Sequence, residues 1–250
     1  MTSGYADING LHMYYESHGT GTPLVLLHGG MLTIDYNFAG LIPTLAAKHQ
    51  VIGVETQGHG RTADIDRPIT PANLAGDVVA LLDHLGIERA HVLGHSMGAA
   101  ITLELAINHG TRVRSIVPIS ASVRVEGMHP DLMDPSRFAT SDRLPSAEDF
   151  AEFRADYERL SPHPEQFDAF MAKQSSSAAD LKGWSDEELA RITAPTLIVQ
   201  GDHDFVTVAH AAQMLDLIPG SQLAVLPNTN HMQVTRRAEY LLPMLASFLD

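Results

Sequence analysis

Short, largely apolar runs recur along the chain and constrain its fold more than any other feature. They are Pro23–Leu27, Val51–Val54, Ala90–Leu93, Val113–Ile119, Thr196–Val199 and Leu223–Leu226. Apolar runs of this length without polar alternation are typical of parallel strands that are buried on both faces. The first three runs end in glycine-rich turns. The runs therefore predict the central strands of a parallel sheet.

Helical patterns alternate with these runs. They cover Pro71–Leu85, Ala99–His109, Val208–Ile218 and Thr235–Leu249. Before the first run, Leu11–Ser17 alternates in the manner of a strand, and we expect it to pair with Tyr5–Ile8 across the turn-forming dipeptide Asn9-Gly10. Strands that alternate with helices imply a parallel sheet covered on both sides, so the predicted fold class is α/β.

Residues 121–190 interrupt the alternation. They hold no apolar strand-like run, are rich in proline, and contain amphipathic stretches near Ala147–Leu160 and Pro164–Ser177. This composition predicts a helical insertion between two sheet strands. The sheet domain would then consist of residues 1–120 and 191–250.

The composition excludes several kinds of chemistry. The 250 residues include no cysteine, which rules out disulfides, thiolate catalysis and cysteine-ligated zinc. The net charge of −14 works against binding to nucleic acid or anionic membranes. The N-terminus does not resemble a secretory signal, and no stretch approaches the roughly 20 apolar residues that span a bilayer. We expect a cytoplasmic protein without metal or cofactor.

Ser96 is the candidate nucleophile. It is the central residue of Gly94-His95-Ser96-Met97-Gly98, which matches the pattern G-x-S-x-G. The pattern alone is weak evidence, but here a predicted strand precedes it and a predicted helix follows it directly. A sharp strand-to-helix turn forces the serine into a strained backbone conformation that exposes its hydroxyl group.

A serine hydroxyl needs an adjacent base, and position in the predicted topology selects one among 14 histidines. His231 lies in a polar loop after the last strand and before the last helix, at the carboxyl edge of the sheet where sites of such folds form. Asp202 and Asp204 follow the strand before it. Either could orient His231, and Asp202 could instead brace its own loop through bonds to backbone N–H groups.

Backbone N–H groups near Ser96 could stabilise an oxyanion. Gly30 follows the first buried strand, and Met97 follows the candidate nucleophile. We expect the N–H groups of these two residues to hold the oxyanion, with the N–H group of Met31 as the alternative to that of Gly30.

These residues together resemble the α/β-hydrolase superfamily over nearly the whole chain. The resemblance is carried by GLHMYYESHGTGTPLVLLHGG at 10–30, GHGRT at 58–62, GHSMG at 94–98, PTLIVQGDHD at 195–204 and NTNHM at 228–232. The chain looks most similar to small capped esterases, lactonases and cofactor-free haloperoxidase-like enzymes. The resemblance implies a mostly parallel eight-stranded sheet flanked by helices, a helical cap after the sixth strand, Asp204 as the acid and Gly30 as an oxyanion donor. One departure is Glu55-Thr56-Gln57, because the family usually carries an aspartate near this strand end.

The expected reaction is hydrolysis of a small-molecule carboxylic ester or lactone through a Ser-His-Asp triad and a covalent acyl-enzyme. Perhydrolase activity, carbon–carbon bond hydrolysis and a triad-retaining ligand receptor remain open alternatives. The expected assembly is a monomer or a homodimer. Residues expected to line the substrate pocket are Met31, Trp184, Phe205 and Met232.

Overall fold

One mixed sheet organises the part of the chain that the computed structural model describes, residues 1–179 and 183–250. Its eight strands lie in the order β1-β2-β4-β3-β5-β6-β7-β8. Their bounds are β1 Thr2–Ile8, β2 Leu11–His18, β3 Thr22–Leu27, β4 His49–Val54, β5 Ala90–His95, β6 Val113–Ile119, β7 Leu197–Gly201 and β8 Gln222–Leu226. β2 is antiparallel to β1 and β4, and all other neighbours are parallel. The predicted mostly parallel eight-stranded sheet is confirmed.

Helices cover both faces of the sheet. Their bounds are α1 Ile34–Phe38, α2 Ile42–Leu45, α3 Pro71–His84, α4 Met97–Asn108, α5 Ala147–Leu160, α6 Phe167–Ala179, α7 Asp186–Leu189, α8 Val208–Leu217 and α9 Ala238–Leu249. Within residues 1–179 and 183–250, none of these helices combines the length and the apolar character that crossing a bilayer requires.

The central strands contain continuous apolar runs because each of their two faces packs on a different core. On β3, Val25 and Leu27 belong to the cluster that contains α3, α4 and α8. Leu24 and Leu26 point the other way, into the cluster that contains α1, α2 and α9. Alternate side chains of a strand face opposite sides of a sheet, which explains why these runs lack polar alternation.

The antiparallel edge of the sheet is the predicted hairpin. Ile8 pairs with Leu11, and the two residues between them have positive φ angles, 49° at Asn9 and 83° at Gly10. A turn with two such residues matches the twist of the flanking strands, and asparagine and glycine adopt it at low cost.

The chain between β6 and β7 forms helices and short 3₁₀ turns that fold back over the sheet edge. Phe153 on α5 packs against Leu32 and Met232, which follow β3 and β8 respectively. On α6, Lys173 Nζ lies 2.7 and 2.8 Å from the two carboxylate oxygens of Asp64. The described part of this insertion therefore contacts the loops at the carboxyl edge of the sheet.

Candidate active site

Ser96 lies at a sharp turn between β5 and α4. Its φ and ψ angles are 55° and −113°, a conformation that costs a residue with a side chain about 1–3 kcal/mol. Two glycines make the turn possible. A Cβ atom on Gly94 would come within 2.1 Å of the Gly98 carbonyl oxygen, and one on Gly98 would come within 2.0 Å of the Leu27 carbonyl oxygen. The strained turn leaves Ser96 partly exposed at the carboxyl edge of the sheet.

The loop after β3 lies against the start of α4. A Cβ atom built on Gly30 would be 3.9 Å from the Cβ atom of Met97. Met97 is the first residue of α4, where backbone N–H groups have no partner within the helix. The N–H group of Met31, by contrast, donates to His59 Nε2 at 3.1 Å. The Met31 N–H group therefore already has an acceptor within the described residues.

A buried aspartate and histidine meet beside this turn. His231 Nδ1 lies 2.8 Å from Asp204 Oδ1, and both side chains are almost fully buried. Asp204 also accepts hydrogen bonds from Ser120 Oγ at 2.5 Å and from the Val206 backbone at 2.9 Å. Burial alone would raise the pKa of Asp204, but the charge of His231 and these hydrogen bonds outweigh it and hold the pKa below its usual value. The carboxylate is therefore ionised at neutral pH.

Asp202 has a different environment. Its Oδ1 atom accepts a hydrogen bond from the Thr229 backbone at 3.0 Å and lies 2.9 Å from His203 Nδ1. The hydrogen bonds from His203 and from the backbone of the 228–229 turn outweigh desolvation and lower the pKa of Asp202 to about 2. Asp202 therefore braces the loop that carries His231, while Asp204 contacts the imidazole itself.

His95 links the serine turn to the histidine loop. Its Nε2 atom donates to the His231 carbonyl oxygen at 3.1 Å, and the two rings lie 4.8 Å apart. Within residues 1–179 and 183–250, no hydrogen bond joins the Ser96 hydroxyl to His231, and the contact between the two segments runs from the His95 ring to the His231 backbone. Burial lowers the pKa of His95 to about 3, so its ring is neutral.

Asn37 on α1 ties this link to two other parts of the site. Its Oδ1 atom accepts the Gly29 N–H at 2.8 Å, and its Nδ2 atom donates to His95 Nδ1 at 3.1 Å and to Thr235 Oγ1 at 3.0 Å. The sequence interpretation missed Asn37 because a lone asparagine in a short helix belongs to no motif. A buried amide at this position holds the loop after β3, the serine turn and the histidine segment together.

Two further neutral histidines, His28 and His59, lie beside the loop after β3. His28 Nδ1 donates to the Gly29 carbonyl oxygen at 2.8 Å, while His28 Nε2 accepts the Thr56 N–H at 3.2 Å. Burial lowers the pKa of His28 to about 4 and that of His59 well below its usual value. These rings are 4.7 Å apart and act as uncharged hydrogen-bonding supports.

Glu55 stands where the resemblance implied an aspartate. It is fully buried and accepts hydrogen bonds from the Arg61 backbone at 2.6 Å and from Arg61 Nη1 at 2.7 Å. Desolvation dominates over these contacts and raises the pKa of Glu55 to about 7. These contacts are with the turn after β4 and not with Ser96 or His231. The glutamate that departs from the family pattern therefore stabilises that turn.

Three of the residues expected to line the pocket lie at the site. Phe205 stacks on the His231 ring with centroids 3.8 Å apart. Met31 and Met232 belong to one apolar cluster with Leu32 and Phe153, beside Gly30 and His231.

The expectation that Trp184 lines the substrate pocket stays a prediction. Its indole N–H donates to Glu104 Oε2 at 2.9 Å, two helical turns beyond Ser96 on α4, and the ring packs into the core cluster of α3 and α4. A buried indole requires an acceptor for its N–H group, and Glu104 supplies it.

A strained serine on a strand-to-helix turn, with a buried Asp–His pair on later loops of the same sheet edge, defines a protein of the α/β-hydrolase class. Residues 24–241 match the model of the alpha/beta hydrolase family, and the chain belongs to that family. The predicted family membership is confirmed, and the protein is a member of a family of hydrolases.

Curated relatives differ in the substrates that their names give. The chain is 30% identical over 271 residues to "2-hydroxy-6-oxononadienedioate/2-hydroxy-6-oxononatrienedioate hydrolase 2" of Pseudomonas putida, with 96% of this chain and 92% of that protein covered. It is 39% identical over 123 residues to "Putative carbamate hydrolase RutD" of Azorhizobium caulinodans, a match that spans 49% of this chain and 46% of that protein. The second match thus spans less than half of either protein.

Solved structures share the whole architecture. A serine hydrolase involved in carbazole degradation aligns with a TM-score of 0.81 at 23% identity and covers 99% of this chain and 98% of its own. Est816, described as an N-acyl homoserine lactone degrading enzyme, aligns with a TM-score of 0.73 at 26% identity, with 98% of this chain and 99% of that chain covered. These alignments place the described strands and helices within one common fold.

Proposed function

We propose that the protein hydrolyses a carboxylic ester or lactone through a Ser96–His231–Asp204 triad and a covalent acyl-enzyme. The 2.8 Å contact between His231 Nδ1 and Asp204 Oδ1 carries the proposal, because it leaves His231 Nε2 as the free basic nitrogen. The strained turn supports it because it leaves Ser96 partly exposed at the carboxyl edge of the sheet.

In the first half of the proposed reaction, Ser96 Oγ attacks the substrate carbonyl carbon and His231 Nε2 accepts the hydroxyl proton. Asp204 Oδ1 fixes the Nδ1–H tautomer and stabilises the imidazolium ion that forms. The carbonyl oxygen becomes an oxyanion, which receives hydrogen bonds from the N–H groups of Gly30 and Met97. Collapse of this intermediate expels the alcohol, which takes the proton from His231.

In the second half, His231 Nε2 removes a proton from water, and the resulting hydroxide attacks the acyl carbon. A second oxyanion forms against the same N–H groups. Its collapse releases the carboxylic acid and returns the proton to Ser96 Oγ. For a lactone, the acid and the alcohol remain on one molecule.

The neighbourhood of Ser96 supports an uncharged, partly apolar substrate. An apolar cluster of Met31, Leu32, Phe153 and Met232 joins the loop after β3, which carries Gly30 and is called the oxyanion loop from here on, to the loop after β8, which carries His231. The 26% identity to Est816, described as degrading N-acyl homoserine lactones, favours the lactone arm of the proposal.

Carbon–carbon bond hydrolysis is the second candidate. It is favoured by the near full-length, 30% identity to the hydrolase from Pseudomonas putida. That reaction requires a proton to be delivered to carbon, whereas ester hydrolysis delivers it to oxygen. A panel of p-nitrophenyl esters, lactones of varied ring size and a 2-hydroxy-6-oxo-dienedioate would separate the two.

Ser96→Ala is the decisive variant for this proposal. With p-nitrophenyl butyrate, we expect steady-state turnover to fall at least about a thousandfold, because the nucleophile is lost while the fold remains. Ser221→Ala, which removes a hydroxyl group bonded to the Leu215 carbonyl oxygen far from the site, should retain turnover. A ligand receptor would release one burst of p-nitrophenol without cycling. Ser96→Ala protein that keeps most of its turnover would overturn the proposal.

A further inference from the structure

Gln174 on α6 brings an amide group to the oxyanion loop. A Cβ atom on Gly30 would lie 3.3 Å from Gln174 Nε2, and the same nitrogen is 3.6 Å from Met97 Sδ. Gln174 therefore lies beside both residues whose N–H groups we assign to the oxyanion. It comes from the insertion, which no sequence motif connects to the chemistry.

The hydrogen bonds around His59 show that this amide is only partly used. His59 Nδ1 lies 2.9 Å from the Gln57 carbonyl oxygen, which can only accept, so Nδ1 carries the ring proton. Because burial keeps the ring neutral, Nε2 has a single lone pair. The Met31 N–H and Gln174 Nε2 both approach that lone pair, each at 3.1 Å. Two donors thus share one acceptor.

The second N–H group of the amide has a poor partner. It faces Met97 Sδ, and a thioether sulfur is a weak acceptor. A hydrogen bond from an amide to an oxyanion is roughly twice as strong as a bond between neutral groups. A negatively charged oxygen that forms between Gly30 and Met97 would therefore attract the Gln174 amide more strongly than its present partners do.

We propose that Gln174 is a third donor to the tetrahedral oxyanion, supplied by the insertion. This inference rests on the proposed function. As the bond from Ser96 Oγ to the carbonyl carbon forms, the π electrons of the carbonyl move to its oxygen and the serine proton passes to His231. The Gln174 N–H group donates a hydrogen bond to that oxygen without transferring a proton. The hydrogen bond weakens when the carbonyl group reforms and the oxygen loses its negative charge.

A substitution at the neighbouring Lys173 distinguishes a contact with the oxyanion from a role of Gln174 in docking α6. Lys173 binds Asp64 through both carboxylate oxygens and also donates to the Ile65 carbonyl oxygen at 2.7 Å. The helix is thus anchored to the loop after β4 by a contact that does not involve Gln174. Lys173→Met and Gln174→Met place the same side chain at adjacent positions of one helix and form a matched pair.

The experiment compares turnover and transition-state binding in these two variants. With p-nitrophenyl butyrate, Gln174→Met should lower kcat about tenfold to a hundredfold with little change in KM, since losing one oxyanion donor costs at least that much in related sites. Inhibition by an alkyl trifluoromethyl ketone, which forms a tetrahedral adduct with a serine nucleophile, should weaken by the same factor. Lys173→Met should leave the ratio of inhibitor affinity to substrate affinity unchanged.

Gln174→Glu provides a second variant of nearly identical shape. A carboxylate at this position would repel the oxyanion, so its kcat should lie below that of Gln174→Met. Equal kcat values for wild type and Gln174→Met, or a loss in KM alone with unchanged inhibitor binding, would overturn the inference. Retained turnover in Ser96→Ala would instead overturn the proposed function, so the two failures are distinguishable.

Discussion

Replacing Asn37 by leucine should separate the three segments that form the site. The side chain is 4% exposed and makes hydrogen bonds to the Gly29 backbone, His95 and Thr235. Leucine has a similar volume but no polar atoms, so all three groups would lose their partner inside the core. His95 would also lose the contact that fixes its tautomer, and with it the orientation of its bond to the His231 carbonyl oxygen.

The expected loss of unfolding free energy follows from the number of hydrogen bonds that Asn37→Leu removes. A net contribution of about 1 kcal/mol for each hydrogen bond gives about 3 kcal/mol of lost unfolding free energy, before the penalty for stranded buried groups. Contacts within one network are not additive, so the measured loss should be about 2–4 kcal/mol. A misplaced His231 loop should reduce kcat at least about tenfold, which corresponds to an increase of about 1.4 kcal/mol in the activation free energy.

Urea unfolding and ester turnover measure the two effects. Asn73→Leu is the control, because Asn73 lies on α3 away from the site and its side-chain amide donates, among the described residues, only to the Pro68 carbonyl oxygen, at 2.9 Å. It should lose less than about 1 kcal/mol and keep full turnover. An Asn37→Leu protein that resembles this control in both measurements would refute the assignment of Asn37 as the connecting residue.

Three further predictions test separate contacts. Asp204→Asn should lower kcat far more than Asp202→Asn does, and the reverse order would transfer the acid role to Asp202. Glu55 has a folded-state pKa of about 7 against 4.5 when free, so between these pH values the folded protein binds more protons than the unfolded chain. The contribution of Glu55 to the free energy of unfolding therefore falls as the pH rises from 4.5 to about 7. Urea unfolding of Glu55→Gln should lack this fall, and a fall equal to that of wild type would contradict the assignment. Phe153→Ala should lower the free energy of unfolding more than Phe150→Ala does, because Phe153 is 1% exposed and Phe150 is 43% exposed. It should also extend turnover to esters with longer acyl chains, because it opens space beside Leu32 and Met232. An unchanged chain-length profile would place Phe153 outside the acyl site.

The sheet could be predicted from the sequence because each central strand is an apolar run bounded by turn residues. α5 occupies Ala147–Leu160, the range that its amphipathic pattern indicates. α1 and α2 were not predicted, since helices of five and four residues are too short to show a period. α9 begins at Ala238, three residues later than predicted, because Val234–Arg236 forms a 3₁₀ turn.

The candidate site was predictable only where one motif or one loop defines a residue. Ser96 lies in a pattern tied to a strand-to-helix turn, and His231 is placed by topology. The choice between Asp202 and Asp204 depends on the direction of two side chains in one loop, which spacing does not encode. Asn37 and Gln174 act through contacts between distant segments, and a single sequence carries no signal for such contacts.

The insertion between β6 and β7 divides the chain that forms the candidate site into two parts. β6 ends the first part and β7 begins the second, and the two strands pair at Ile119 and Val199. The hydrogen bond from Ser120 to Asp204 also joins the two parts. Every residue that we assign to the nucleophile and the oxyanion precedes the insertion, except Gln174, which lies within it, while the acid and the base follow it. Cleavage of the chain inside the insertion would therefore yield two fragments that are each inert, and restored hydrolysis would report their reassembly, as in a split-enzyme reporter.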